Sequence, residues 1–469
     1  MSPIFVLFLS VLFTFIGISL GILTGLVPGI HVNTISFLII GSLGPISLFV
    51  GNILSGFELS SWDTLIFISM LVMGCLITHT FLDFIPSTFL GAPEGENALA
   101  VLPAHEMLLE GRGYEAVKAS ALGSFAASFI GLSMILPARL IMGDPVHLYE
   151  RLIPFIPLIL FLVVFVLVMQ EGRSLIDFRP KMVAAGLFLM SGLLGFVVLT
   201  PSGMYTYNWT LVDRAGTPNT SLMMFPMFTG LFGISNLLVS LMDDPDIPEQ
   251  ETEDVDILVE NKSKLRGIIS GTFSGGLVGW LPGITAAAAT AVTRVFTPDD
   301  VDEETKSREY IMAVSAVDTS CAIFTLVALF VIMKARSGAM QAILRINEAN
   351  IREWEVLLEV PGLFLLLLFS VIISATVAYL LTLVIGKKFT VIHRKIEYNK
   401  LSKVIIGFLV FMILALSGPI GLLIGATSTA IGLVPPLYGV KRVHLMGCII
   451  LPIMLFFTGL DEFIFGLLL

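Results

Sequence analysis

The sequence predicts an all-α polytopic membrane protein, with about ten to twelve transmembrane or re-entrant helices arranged as two repeats of inverted topology. Three observations predict it. Mean hydropathy is +0.95, with 56% hydrophobic and 13% charged residues, a composition foreign to a soluble chain of 469 residues. Apolar runs of spanning length begin near Ile4, Ile66, Ala119, Ile153, Val183, Leu222, Ile268, Met312, Leu363, Val404 and Met446, each needing about 20 residues if helical. Finally, GILTGLVPGI from Gly21 to Ile30 returns as GGLVGWLPGI from Gly275 to Ile284, identical at six of ten positions and displaced by 254 residues.

The first run has no Lys or Arg before it and continues into its Pro-Gly pair, so it reads as a mature helix and not as a secretory signal. The polar stretch from Asp243 to Lys264, with nine acids up to Glu260, divides the chain into repeat one, Met1 to Met242, and repeat two, Leu265 to Leu469. Orientation rests on Lys and Arg, because acids say little about sidedness. Six basic residues from Lys387 to Lys403 place that loop in the cytoplasm of a cell-membrane protein, and Arg173, Arg179 and Lys181 do the same for Glu171 to Lys181. The stretch from Thr200 to Ser221, with one Arg and with Tyr205, Tyr207 and Trp209, reads as an external interfacial loop. With the acidic linker cytoplasmic, repeat two starts inside. Repeat one opens without a basic residue, as an external segment would, so the halves have opposite orientation.

A Pro-Gly pair interrupts a membrane helix and frees backbone groups that lipid cannot satisfy, which implies a cavity lined by protein or water. Uncharged segments follow each pair: His31, Asn33 and Thr34 in the first copy, Thr285, Thr290 and Thr293 in the second. If each begins a half-helix, its unpaired amides and positive dipole end suit an anion. The plainer reading is close helix packing with a kink. The candidate binding residues are therefore Pro28, Gly29, Ile30, His31, Asn33 and Thr34 at the first corner, and Pro282, Gly283, Ile284 and Thr285 at the second.

The stretch from Thr78 to Tyr114 is too apolar for an exposed loop yet carries Asp83, Glu94, Glu96 and Asn97. Ionisable groups at membrane depth face a cavity or a partner, or else sit solvated at the interface; Pro93, Glu94 and Gly95 join the candidates. In repeat two, Asp318, Thr319 and Ser320 fall near the start of the corresponding helix among small and apolar residues, and Asp318 with Thr319 reads as a coupling-ion site. Lys334 reads as a counter-charge for an anionic substrate, while Arg336 reads more readily as snorkelling at a helix end. Cys75, Cys321 and Cys448 have no metal-ligand spacing, so no cofactor is expected beyond a coupling sodium ion or proton. His105-Glu106 lacks the second histidine of HExxH, since Leu109 stands there, and neither a GxxxxGK[ST] loop nor a GxSxG elbow is present. The sequence thus points away from an enzyme and from an ATP-driven pump.

Three passages resemble the large permease subunit of tripartite tricarboxylate transporters, the TctA family. They are the GxxxGxxPGI element, present twice; LGAPEGENALAVLPAHEMLLEGRGYEAV, Leu90 to Val117; and LVPPLYGVKRVHLMG, Leu433 to Gly447. The resemblance implies a symport permease for di- or tricarboxylates that works by alternating access with a small membrane subunit and an extracytoplasmic binding protein. Expected partners are then a small anionic substrate, the lipid bilayer, these two subunits and a second copy of the chain in a homodimer; nucleic acid is not among them. Two departures stand out: Glu94 follows Pro93 where the family has glycine, and the Leu-Gly-x-Pro-Gly turn of the second half is replaced by Ile332-Met-Lys-Ala-Arg-Ser-Gly338. The alternative function on the same corners is a flippase for a polyprenyl-phosphate lipid carrier, its phosphate held by helix-end amides.

Overall fold

The computed structural model describes residues 3–27, 32–53, 61–89, 101–169, 171–172, 177–199, 219–243, 248–251, 257, 259–281, 289, 293, 301–393, 398–461 and 463–464. Among the described residues the chain is helical and contains no strand. Before the acidic linker the chain forms α1 (Pro3–Leu26), α2 (Val32–Gly41), α3 (Leu43–Ile53), α4 (Ser61–Leu82), α5 (Phe84–Phe89), α6 (Val101–Leu109), α7 (Gly113–Ser133), α8 (Ile135–Met142), α9 (Leu148–Leu152), α10 (Ile156–Met169), α11 (Phe178–Leu199), α12 (Asn219–Phe228) and α13 (Ser235–Asp243). From the linker's end onward it forms α14 (Asn261–Val278), α15 (Glu303–Val331), α16 (Gly338–Ile346), α17 (Gly362–His393), α18 (Tyr398–Gly432), α19 (Val434–Tyr438) and α20 (Gly447–Thr458). Eight described helices are long and apolar enough to cross a membrane, and four more apolar helices are shorter.

Two spans form the centre. The apolar window of Trp62–Phe89, which is α4 continued by α5, is 89% buried and that of Glu303–Val331 is 94% buried, against 22% for Leu148–Met169 at the periphery. Pro86 therefore lies inside a continuous span and does not interrupt it.

Glycines dictate how these central helices are gripped. Along α1, a methyl group at Gly17 would collide with the Leu71 carbonyl, at Gly21 would lie 2.6 Å from Thr78 Cβ, and at Gly25 would lie 2.7 Å from Leu82 Cβ. Along α14 and its cap, Gly271 faces the Ala313 carbonyl, Gly275 faces Val317 and Ser320, and a methyl at Gly279 would lie 2.7 Å from Phe324 Cβ. The two glycine sets are displaced by the same 254 residues as the Pro-Gly pairs, and their partners on α4 and α15 by a constant 242 residues. In a membrane, where tails are as apolar as leucine, backbone approach of this kind supplies the van der Waals contact that holds helices together. The halves therefore share one packing scheme, α1 on α4 and α14 on α15.

Cross-packing completes the centre. The third long helix of each half lies on the other half's central helix, α7 on α15 and α17 on α4. Ser315 Oγ donates to Ser120 Oγ at 2.8 Å and Ser124 Oγ to the Ser315 carbonyl at 3.2 Å; on the other side Ser370 Oγ donates to the Met70 carbonyl at 3.1 Å. A second bundle of α10, α11, α12, α18 and α20 has its own apolar core, which includes Leu160, Phe188, Leu231 and Leu445. Within it α18 is broken at Gly418-Pro419, where Gly418 has φ of 65°.

The described acids of the linker, Glu249, Glu251 and Glu260, are exposed, while Gln250 between them is not. Helix α14 begins at Asn261, so the last four linker positions are helical. Gln250 is buried against the α6–α7 turn: its Oε1 accepts from Gly113 N–H at 2.8 Å, its Nε2 donates to the Leu108 carbonyl at 2.9 Å, and Glu251 N–H donates to the Gly111 carbonyl at 2.8 Å. The basic residues Lys387, Lys388, Lys400 and Lys403 lie on the ends of α17 and α18.

Candidate functional site

Asp318 and Thr319 lie in the middle of α15, not near its start as the hydropathy pattern suggests. The helix begins at Glu303 because its first turns carry charges that are paired: Arg308 Nε donates to Glu115 Oε1 at 2.6 Å with both side chains buried, and Arg266 makes a fork on Glu309. Satisfied charges of this kind belong to a helix. Asp318, 4% exposed, therefore sits at membrane depth. Beside it Thr319 Oγ1 lies 3.4 Å from Thr80 Oγ1, so the two central helices meet at paired hydroxyls.

Next to Thr80 on α4, His79 Nδ1 lies 3.1 Å from Thr24 Oγ1, both groups buried. The Thr24 hydroxyl donates to the Gly21 carbonyl at 3.2 Å, so its lone pair is what remains for an Nδ1–H donor. Thr24 stands four residues before Pro28. Sequence reading missed Thr24 and Thr80, whose only signal was a hydroxyl within an apolar run.

The candidate residues Pro28, Gly29, Ile30, His31, Pro93, Glu94, Gly95, Pro282, Gly283, Ile284 and Thr285 lie outside the described residues, as does the side chain of Thr34. Their flanks are described and converge on one short turn, residues 332–338. After the first corner, Asn33 on α2 packs against Gly338, where a methyl would lie 2.8 Å from Asn33 Cβ. Before the second corner, the carbonyl of Val278 accepts from Arg336 Nη1 at 2.8 Å, and that of Leu281 accepts from the same nitrogen. Val32 and Trp280, which flank the two corners, are both buried in the one apolar cluster that also holds Phe330 and Met340. Within this turn Met333, at φ of 51°, takes the left-handed conformation. Ser337 then caps α16 by accepting from Met340 N–H at 3.2 Å.

The Arg336 guanidinium reaches the last carbonyls of the α14 segment, the negative end of that helix. Lys334, the cation favoured from sequence, is exposed on the same turn. Among the described residues no group of three or more His, Cys, Asp or Glu could hold a metal ion.

Fold and composition define a multi-pass helical membrane protein built around two glycine-packed helix pairs. The chain belongs to the tripartite tricarboxylate transporter TctA family, whose model matches residues 11–447, and it is thus a transporter-family permease subunit rather than an enzyme. It is 28% identical over 460 residues to the uncharacterized protein MJ1079 of Methanocaldococcus jannaschii, covering 96% of this chain and 99% of that protein. No solved structure matches the chain. The family gives the lipid-flippase reading no support.

Proposed function

We propose that the protein is a secondary active carrier of di- or tricarboxylates driven by a proton or sodium gradient. Substrate carboxylates are held between the two Pro-Gly corners by helix-end amides around Gly29 and Gly283, with the hydroxyls of Thr34 and Thr285 fixing orientation. Asp318, with Thr319, takes the coupling ion. The two halves are inverted with respect to each other, and rocking of one against the other exposes the site to each side in turn. A small membrane subunit and an extracytoplasmic binding protein complete the transporter, as the family's tripartite organisation implies.

The observation that carries this reading is the convergence of both corners' flanks on the 332–338 turn, through Asn33 against Gly338 and Arg336 on the Leu281 carbonyl. Asp318 adds to it as a buried carboxyl-bearing residue next to the Thr80–Thr319 contact, because an ionisable group at that depth is costly without a function or partner. Counterflow of radiolabelled citrate and succinate in proteoliposomes, with and without sodium, tests the substrate class. Asp318→Asn is expected to abolish gradient-driven accumulation while counterflow persists. Wild-type accumulation by that variant removes Asp318 from coupling.

A further inference from the structure

We propose that the end of the second bundle around Arg442 is a binding site for the phosphate headgroup of an anionic phospholipid. The site stands apart from the carboxylate reading, and no transport step enters it. The segments that end in α10 and α11 are each long and apolar enough to cross a membrane, so Glu171, two residues past α10 and seven before α11, lies at a membrane boundary. Its Oε1 accepts from Lys441 N–H at 3.1 Å and lies 3.0 Å from His444 Nε2, while its carbonyl accepts from Lys181 Nζ at 2.8 Å. These contacts gather Arg179 and Lys181 of α11 with Lys441 and Arg442 at one boundary. On the same two stretches, 171–181 and 441–446, the described carboxylates are Glu171, buried, and Asp177, exposed, so positive charge prevails.

Within this group Arg442 lacks an answer to its charge. Its Nη1 is enclosed by protein, and among the described residues no group accepts from that nitrogen. No described carboxylate lies within ion-pair distance of it. Arg308 and Arg266, by contrast, sit on Glu115 and Glu309. A snorkelling arginine keeps its head in water; enclosing part of the fork without a counter-charge costs free energy that a bound anion offsets. The residue is half-buried and not sealed, so an anion at the surface can reach it. A phosphate oxyanion suits a guanidinium fork, whether it comes from a lipid or from free phosphate. The surroundings favour the lipid. Phe178 and Met182 at the start of α11, and Leu437 and Tyr438 at the end of α19, are exposed, and Gly439, at φ of 66°, turns the chain from Tyr438 towards Lys441. Free phosphate gains nothing from such apolar surface, whereas acyl chains cover it and a tyrosine sits well at headgroup level.

The test is thermal unfolding of the delipidated full chain in detergent, titrated with phosphatidylglycerol, phosphatidylcholine or inorganic phosphate. A ligand that binds only the folded state raises the melting temperature as its concentration rises. Phosphatidylglycerol is expected to raise the wild-type value at concentrations where the other two do not. Arg442→Gln is expected to move the half-maximal concentration of phosphatidylglycerol up about tenfold, the scale of losing one charge-assisted contact. Arg442→Lys keeps a cation without the fork and is expected to move it by less. An unchanged half-maximal concentration in Arg442→Gln overturns the site, as does a wild type that does not respond to phosphatidylglycerol. Should Arg442→Gln fail to fold, the double variant Arg179→Gln with Lys441→Gln decides, because both side chains are exposed; an unchanged value there overturns the site as well. An equal response to phosphatidylcholine means that lipid of any charge solvates this end, and an equal response to inorganic phosphate means that the site takes a soluble anion. Either result overturns the lipid assignment, and none of these outcomes bears on counterflow of carboxylates.

Discussion

The α1/α4 and α14/α15 pairs are one packing scheme carried out with two different sets of side chains. Gly17, Gly21 and Gly25 contact α4 at the positions where Gly271, Gly275 and Gly279 contact α15. Around that shared backbone the fillings diverge. Phe67 stacks on Phe13 with ring centroids 5.4 Å apart, while Glu309, displaced from Phe67 by 242 residues, is forked by Arg266. Buried Ile66 has Arg308 as its counterpart, which reaches across to Glu115 of the other half. At the deep end the Thr24–His79 hydrogen bond of pair one corresponds to Val278 and Cys321 in pair two, where Arg336 supplies the polar contact from outside the pair. Steric frame and electrostatics are thus separable here. Glycine contacts fix the approach of α1 to α4 and of α14 to α15, and the side chains around them differ from one pair to the other.

The largest effect expected from this separation lies in the charged filling. Arg308→Ala leaves Glu115 buried without its partner and should cost about 3–5 kcal/mol, read as thermal or chemical unfolding in detergent. The double variant Arg308→Met with Glu115→Leu, which imitates the apolar filling of pair one, should recover most of that loss. A loss under about 1 kcal/mol for the single variant would mean that the pair is solvated and that the comparison has no energetic content.

A steric effect comes next. Gly275→Ala places a methyl against the Val317 carbonyl and Ser320, and overpacking of this kind costs about 1–3 kcal/mol. Gly21→Ala brings a methyl to 2.6 Å from Thr78 Cβ and 2.8 Å from the Cys75 carbonyl and should cost about 1–3 kcal/mol as well. Equal melting temperatures for Gly275→Ala and the wild type would show that the close approach is not what holds α14 on α15.

Much of this frame was legible in the sequence, for a physical reason. A glycine that touches a neighbouring backbone cannot change, so its spacing and the Pro-Gly pair survive as a visible duplication at 254 residues. The partner helices were illegible as a repeat, because what they offer is mostly backbone: Leu71 and Ala313 supply carbonyls and share no side-chain chemistry. Hydropathy misplaced Asp318 by treating Arg308 and Glu309 as solvated charges when they are paired inside the helix. The partners of Arg336 had no local cue, since the carbonyls it holds lie 55 and 58 residues away.

The smallest effect belongs to the second bundle, which neither helix pair reaches and which therefore serves as their reference. Glu171, just after α10, lies with its Oε1 3.0 Å from His444 Nε2 and accepts from Lys441 N–H at 3.1 Å. Burial alone would push its carboxyl up; the hydrogen bonds from His444 and Lys441, with the positive charge of Lys441, together prevail and hold it below its usual value. A carboxyl lowered on folding stabilises the protein above the unfolded value of about 4.3 and loses that contribution as pH falls through the lowered native value. The melting-temperature gap between the wild type and Glu171→Gln should therefore be constant from pH 7 down to about pH 5 and close below it. Gly275→Ala, whose defect is steric, should keep its gap over the same range. If both gaps close together, acid is loosening the helix pairs themselves, and the separation of frame from charge fails at the point where it is easiest to measure.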